Sequence, residues 1–256
     1  MGFLRGFLAP FRGAAYVSKE RLWHFVLVPL LLNIALAGGA AYLTGRYWQS
    51  ELANRAVGSP ALATLLLVVT TVLGTVILFL ILQPLLGAVF NDILSERVER
   101  RLTGETPKVP LLSSVGASLT HGLLKLLLYG FAFVVALMAG TVTAGIGSLV
   151  GLALAGLFLA YDGFDFPLSR RGASFGAKWR YLALHPAQTI GYGLGATIFY
   201  LIPLALIVAP PLTAAGATLV YLETQKRAAE REHARNERRK EKVEPDEASP
   251  HRDGQG

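Results

Sequence analysis

The chain has 256 residues, of which 53% are hydrophobic and only 16% charged, against about 25% charged in an ordinary soluble domain, so the apolar excess calls for lipid as a second solvent. The formal charge of +7 does not point to nucleic acid, because outside the C-terminal tail the basic residues flank apolar runs as topological anchors do, and no nucleic-acid-binding module is spelled out. The absence of Cys removes disulfides, thiolate metal sites and cysteine nucleophiles together.

Phe3, Phe7 and Phe11 recur at helical spacing with Arg5 and Arg12 elsewhere on the turn, which predicts a short amphipathic helix lying in the membrane interface, limited by Pro10 and Gly13. The first apolar run, Phe25 to Leu43, follows Arg5, Arg12, Lys19 and Arg21 and is longer than a signal core, so it reads as a retained span. Arg21 and His24 beside Trp23 read either as interfacial anchors or as a cationic vestibule for an anion. A loop with Arg46 and Arg55 leads to a second span, Ala61 to Val89.

After that span come Asn91, Asp92, Ser95, Glu96, Arg97, Glu99, Arg100 and Arg101, read as a solvated helix leaving the membrane. Lys and Arg accumulate before the first span, after the second, between Tyr161 and Thr189 and in the tail; the positive-inside rule puts all of these in the cytoplasm, with the Thr44 to Pro60 loop outside. The apolar stretches Leu126 to Ala160 and Ile190 to Leu222 must then leave and regain the cytoplasmic side. Each is too short for two spans of about 20 residues and a turn.

Both are interrupted, the first by Gly140, Gly145, Gly147 and Gly151, the second by Pro203 and the pair Pro210 and Pro211. The fold expected is therefore an all-α integral membrane protein with two long transmembrane helices plus two re-entrant, partly penetrating helical hairpins. Irregular backbone at that depth is tolerated only against protein or a wet cavity. Thr141, Thr143, Gly145 and Gly147 at one tip, and Pro203 and Pro210 at the other, are accordingly the expected pathway lining.

Ala155, Gly156, Leu159 and Tyr161 match Ala215, Gly216, Leu219 and Tyr221 at an offset of 60 residues, a faint repeat that pairs the two hairpins. Asp162 and Asp165 are expected to pair with the nearby Arg170 and Arg171, and Gly191, Gly193 and Gly195 to form helix-packing surfaces. Residues 1–224 form the membrane domain; 225–256 are a charged cytoplasmic tail, a frayed helix running into disorder.

His24, His121, His185, His233 and His251 form no ligand spacing, and there is no nucleophile elbow, phosphate-binding loop or dinucleotide fingerprint. No metal, cofactor or enzymatic activity is expected.

Phe25-Val26-Leu27-Val28-Pro29-Leu30-Leu31-Leu32-Asn33, then Phe90-Asn91, Ser95-Glu96-Arg97-Val98-Glu99 and Leu102-Thr103-Gly104, then Asp165-Phe166-Pro167, and finally Ile202-Pro203-Leu204, Pro210, Gly216-Ala217-Thr218 and Glu223 stand in one order. In these elements the chain resembles the CysZ-like sulfate permease family, which shares its membrane domain with the etoposide-induced proteins. The resemblance spans roughly residues 2 to 224. It implies two long spanning helices with partly penetrating hairpins, both termini cytoplasmic, a homo-oligomer in the bacterial inner membrane, and an inorganic anion, sulfate, as the partner taken up for sulfur assimilation. Trp23-His24 stands where bacterial relatives commonly carry adjacent basic residues. A membrane adaptor acting through the charged tail is the other class of function expected.

Overall fold

The computed structural model describes residues 2–54, 60–105, 124, 127–132, 134–135, 138 and 146–243. Seven long helices are named here: α1 (Gly2–Lys19), α2 (His24–Asn54), α3 (Pro60–Thr103), α4 (Ile146–Ser169), α5 (Phe175–Leu184), α6 (Pro186–Leu201) and α7 (Pro203–Val243). Residues 127–132 are helical too, and there is no strand among the described residues.

Helices α2 and α3 carry the two predicted long apolar runs and pack against each other. Among the described residues, His24–Leu43 and Leu149–Ser169 are long and apolar enough to cross a bilayer, and Thr64–Thr75 is a shorter apolar stretch of α3. Their bulky side chains face outward: Leu31 and Ile34 of α2, Leu65 and Leu73 of α3 and Leu149 of α4 are all exposed. Helix α6 shows the same inversion at single-turn resolution. Ile190, Leu194, Ile198 and Leu201 are exposed at helical spacing, while the opposite face, with Gly191, Gly195 and Ala196, is buried. A soluble helix turns its large apolar residues inward; here small residues face the protein and large ones the surroundings, as lipid-embedded helices require. This is a membrane protein.

The interior is a bundle of α1, α4, α6 and α7 held at close range by glycines. A Cβ on Gly191 would lie 2.2 Å from the Phe3 carbonyl oxygen, and one on Gly195 2.0 Å from that of Phe7, so α1 rests on one edge of α6. On another edge a Cβ on Gly193 would lie 2.5 Å from the Gly156 carbonyl oxygen of α4. The predicted packing role of the three glycines holds, and because they alternate, they serve two neighbours. The repeat partners also share a role: Gly156 meets α6 at Gly193, and Gly216 meets α1 at Ala9.

Several sequence expectations need correction. Helix α1 runs unbroken through Pro10 and Gly13, because both are buried against the bundle and Gly13 admits the Leu212 carbonyl of α7. Pro210 and Pro211 do not break α7. The Ala209, Leu212 and Ala215 side chains lock that segment to Val17, Leu22 and Phe199, and Thr213 Oγ1 donates to the Ala209 and Pro210 carbonyls at 2.8 and 3.0 Å. Tertiary packing thus offsets the missing donors. The break in this stretch falls at Ile202, the extended C-cap of α6, with Pro203 starting α7.

Gly147 and Gly151 likewise lie inside α4, while Gly140, Thr141, Thr143 and Gly145 lie outside the described residues. Of the tail, residues up to Val243 continue α7 as helix, with Arg227 to Arg239 exposed, and 244–256 lie outside the described residues.

Candidate functional site

The segment after the second span is not simply a solvated helix. Its outer face is, with Glu96 pairing to Arg100 one turn on. Its inner face carries Ser95 and Glu99, which are fully buried, and Asn91. What buries them is the end of α4. There Gly172, at φ 68°, reverses the chain in a conformation that favours glycine, and Ser174 caps α5 by accepting from the Ala177 amide at 3.3 Å.

This turn delivers Arg170 and Arg171 onto α3. Arg170 Nη1 lies 2.5 Å from Asp92 Oδ1, its Nε donates to Glu99 Oε2 at 3.1 Å, and its Nη2 donates to Ser95 Oγ at 2.6 Å. Thr218 Oγ1 of α7 donates to the Ala214 carbonyl at 2.9 Å, so in its 2.6 Å contact with Ser95 the serine is the donor. Arg171 pairs with the other Glu99 oxygen and lies 4.7 Å over the Tyr221 ring.

Asp165 pairs with the buried Lys178 of α5, which also donates to Ser169 Oγ at 2.7 Å, while Asp162 accepts from Tyr129 at 3.0 Å. The local pairing expected between these aspartates and Arg170 and Arg171 is therefore replaced by long-range partners. Burial raises the Asp92 carboxyl above the usual aspartate range, outweighing the opposing pull of Arg170; repulsion from Glu96 and Asp165 adds to the rise.

Three acids, Asp92, Glu99 and Asp165, thus face three bases, Arg170, Arg171 and Lys178. Among the described residues these charges match one for one, and with Ser95, Thr218 and Tyr221 they tie α3, α4, α5 and α7 together.

Cations without an ion-pair partner among the described residues lie elsewhere. Arg21 occupies the left-handed region at φ 55° in the tight connection between α1 and α2, exposed, while its neighbour Leu22 is buried and anchors the turn. His24 begins α2, exposed, its ring 4.1 Å from that of Phe25. The other face of this arrangement is completed by Arg97 of α3, whose guanidinium sits 5.8 Å over the Phe25 ring. Among the described residues neither Arg21 nor Arg97 has an ion-pair partner. The neighbouring Glu20 is taken by Arg101, which also donates to the Glu20 carbonyl at 3.1 Å and latches this connection to α3.

Arg97 thus brings a permanent charge from a different helix to the ring that His24 also contacts. Sequence reasoning placed Arg97 on a solvated face. The nearest signal is the three-to-four-residue periodicity that puts Leu94 and Val98 inward and Arg97 out beside Phe25.

The other predicted residues are dispersed. Gly147 is buried in the first turn of α4, Pro203 is exposed at the start of α7, and Pro210 is half-buried two turns along. None of them, nor Arg21 or His24, lines the cleft of about 980 Å³ that opens between α1, the end of α3 and α7.

The family described as "Sulfate transporter CysZ/Etoposide-induced protein 2.4" matches residues 9–211, more than half of the chain. The chain belongs to this family. It is 27% identical over 234 residues to the sulfate transporter CysZ of Pectobacterium atrosepticum, covering 83% of this chain and 82% of that protein. It is 26% identical to the sulfate transporter CysZ of Vibrio parahaemolyticus over 82% of this chain and 91% of that protein. With the sulfate transporter CysZ of Salmonella paratyphi A it shares 26% identity over 83% of this chain and 89% of the relative. The matched region takes in α1 from Ala9 onward, α2 to α6 and the start of α7, including the connection at Arg21 and the charged residues of the acidic and basic network.

Proposed function

We propose that this protein is a sulfate uptake permease of the bacterial inner membrane. The observation that carries the reading is the placement of His24 and Arg97 against Phe25, with the exposed Arg21 in the connection just before His24 and neither arginine in an ion pair among the described residues. Sulfate is divalent, and two permanent guanidinium charges balance it; His24 adds a third charge when protonated. Naming of the bacterial relatives as sulfate transporters favours transport over the adaptor reading.

In this proposal both termini are cytoplasmic, α2 and α3 cross the membrane, and the hairpins penetrate partway. Leu149–Ser169 passes for a span by length and mean hydropathy, but its last part holds Asp162 and Asp165 of the charge network; the apolar part of α4 before Asp162 is 16 residues, and α6 has 16, so at 1.5 Å per residue each reaches about 24 Å, short of a hydrocarbon core of about 30 Å. Helices α4 and α7 both begin at the hairpin tips. Their N-terminal amides, with Thr141, Thr143 and Gly145 before α4, replace part of the water that sulfate sheds. A homo-oligomer would cover the apolar flanks of α2 and α3.

The test is radiolabelled sulfate flux into proteoliposomes of the purified protein. The Arg21→Ala/His24→Ala/Arg97→Ala variant, checked for an unchanged elution volume, is expected to lose at least about tenfold in rate, the equivalent of roughly 1.4 kcal/mol. Wild-type flux in the triple variant refutes the cationic vestibule, and no sulfate flux above empty vesicles in the wild type refutes the transport reading.

A further inference from the structure

The cleft between α1, α3 and α7 is built differently from the cationic group at Arg21. Its floor is apolar, from Leu102 of α3 and Leu219 and Leu222 of α7, and its rim is basic. Two of the rim cations are engaged: Arg12 with Glu223 of the opposite wall, and Arg171 with Glu99. The other two, Lys19 and Lys226, are exposed and have no ion-pair partner among the described residues.

The cleft also lies where α7 changes character. Its apolar run ends at Leu222, and beyond Glu223 every turn is charged. That is the composition change of a helix passing from hydrocarbon to headgroups.

We propose that this cleft seats an anionic phospholipid, with its phosphate between Lys19 and Lys226 and an acyl chain along Leu102, Leu219 and Leu222. Apolar floor and cationic rim together match the two chemistries of one amphiphile. A free inorganic anion gains nothing from the leucines, whereas a second copy of this chain, formally at +7, brings like charge to a basic rim. The lipid would wedge α1 against the cytoplasmic ends of α3 and α7.

The test titrates fluorescent phosphatidylglycerol into the full-length protein in neutral detergent micelles containing phosphatidylcholine. Saturable binding is expected. Lys19→Gln/Lys226→Gln should weaken it by about 25-fold, at roughly a factor of five for each basic residue at a lipid surface. Arg231→Gln/Arg235→Gln, which removes the same charge from α7 beyond the cleft, should leave affinity within about twofold. Equal losses in the two double variants, or no saturable binding, overturn the proposal in favour of diffuse attraction. Displacement of the lipid by inorganic phosphate at similar concentration overturns it in favour of a free anion. Neither result depends on whether the protein carries sulfate.

Discussion

Glu99 is the residue whose loss should cost this fold most per atom removed. Its side chain is 1% exposed, and its two oxygens receive Arg170 and Arg171, themselves 9% and 30% exposed. Truncation in Glu99→Ala leaves one nearly buried guanidinium short of an acid and another half-released onto Tyr221. Breaking a buried pair from one side costs about 3–5 kcal/mol, mostly the desolvation of the charge left behind. For a chain of this size each kcal/mol lowers the melting temperature by roughly 2–4 °C, so a fall of about 6–20 °C is expected in detergent micelles, followed by intrinsic fluorescence.

The same reasoning fixes the sign of the double variant. Glu99→Leu/Arg170→Leu removes one charge of each sign and restores neutrality, so it should be more stable than Glu99→Leu alone, with a coupling of about 2 kcal/mol. A Glu99→Ala protein melting within about 2 °C of wild type, or a double variant no more stable than the single, refutes the view that charge balance holds α3, α4 and α7 together.

Gly195→Ala puts a Cβ 2.0 Å from the Phe7 carbonyl oxygen, backbone that cannot rotate away; a loss of about 1–3 kcal/mol is expected by thermal unfolding, whereas Gly74→Ala, with nothing within 4 Å, should cost nothing. For Asp92 the raised carboxyl means that the folded state holds its proton more tightly than the unfolded one. This contribution is full below the ordinary aspartate value of about 3.9 and is lost as pH rises through the folded value. Melting temperatures from pH 4 to 7 should therefore decline less steeply in Asp92→Asn than in wild type.

Truncation after Arg231 removes, among the described residues, only exposed ones and should leave the melting temperature and elution volume unchanged; collapse of the assembly would show that the tail has a structural partner. Cys placed singly at Ser59 and Ser174 and probed with an impermeant thiol reagent in intact cells should label at Ser59 alone, and the reverse pattern overturns the proposed orientation.

Composition and periodicity determined what depends on local chemistry. Long uncharged runs can only be helices in lipid, since no other open structure satisfies its backbone there, so α2, α3 and their starts were legible, whereas α2 runs on as helix to Asn54 through the segment read as a loop from Thr44. So was the packing role of Gly191, Gly193 and Gly195, because closely spaced small residues in an apolar helix have few other uses. The residues carrying the family resemblance were legible too, and they lie on helices that the structure assembles into one bundle. What the sequence misjudged was decided by partners distant in the chain. Pro10, Pro210 and Pro211 look like breaks until the packing of α1 on α7 supplies the contacts that hold those turns. Asp165 looks matched to Arg170 until the Gly172 turn sends the arginine to Glu99 and brings Lys178 back to the aspartate. Arg97 looks like solvated charge until α2 and α3 pair and set it over Phe25. A helix face is identified by what covers it, and for these residues the cover comes from segments tens of residues away, which only the tertiary structure brings together.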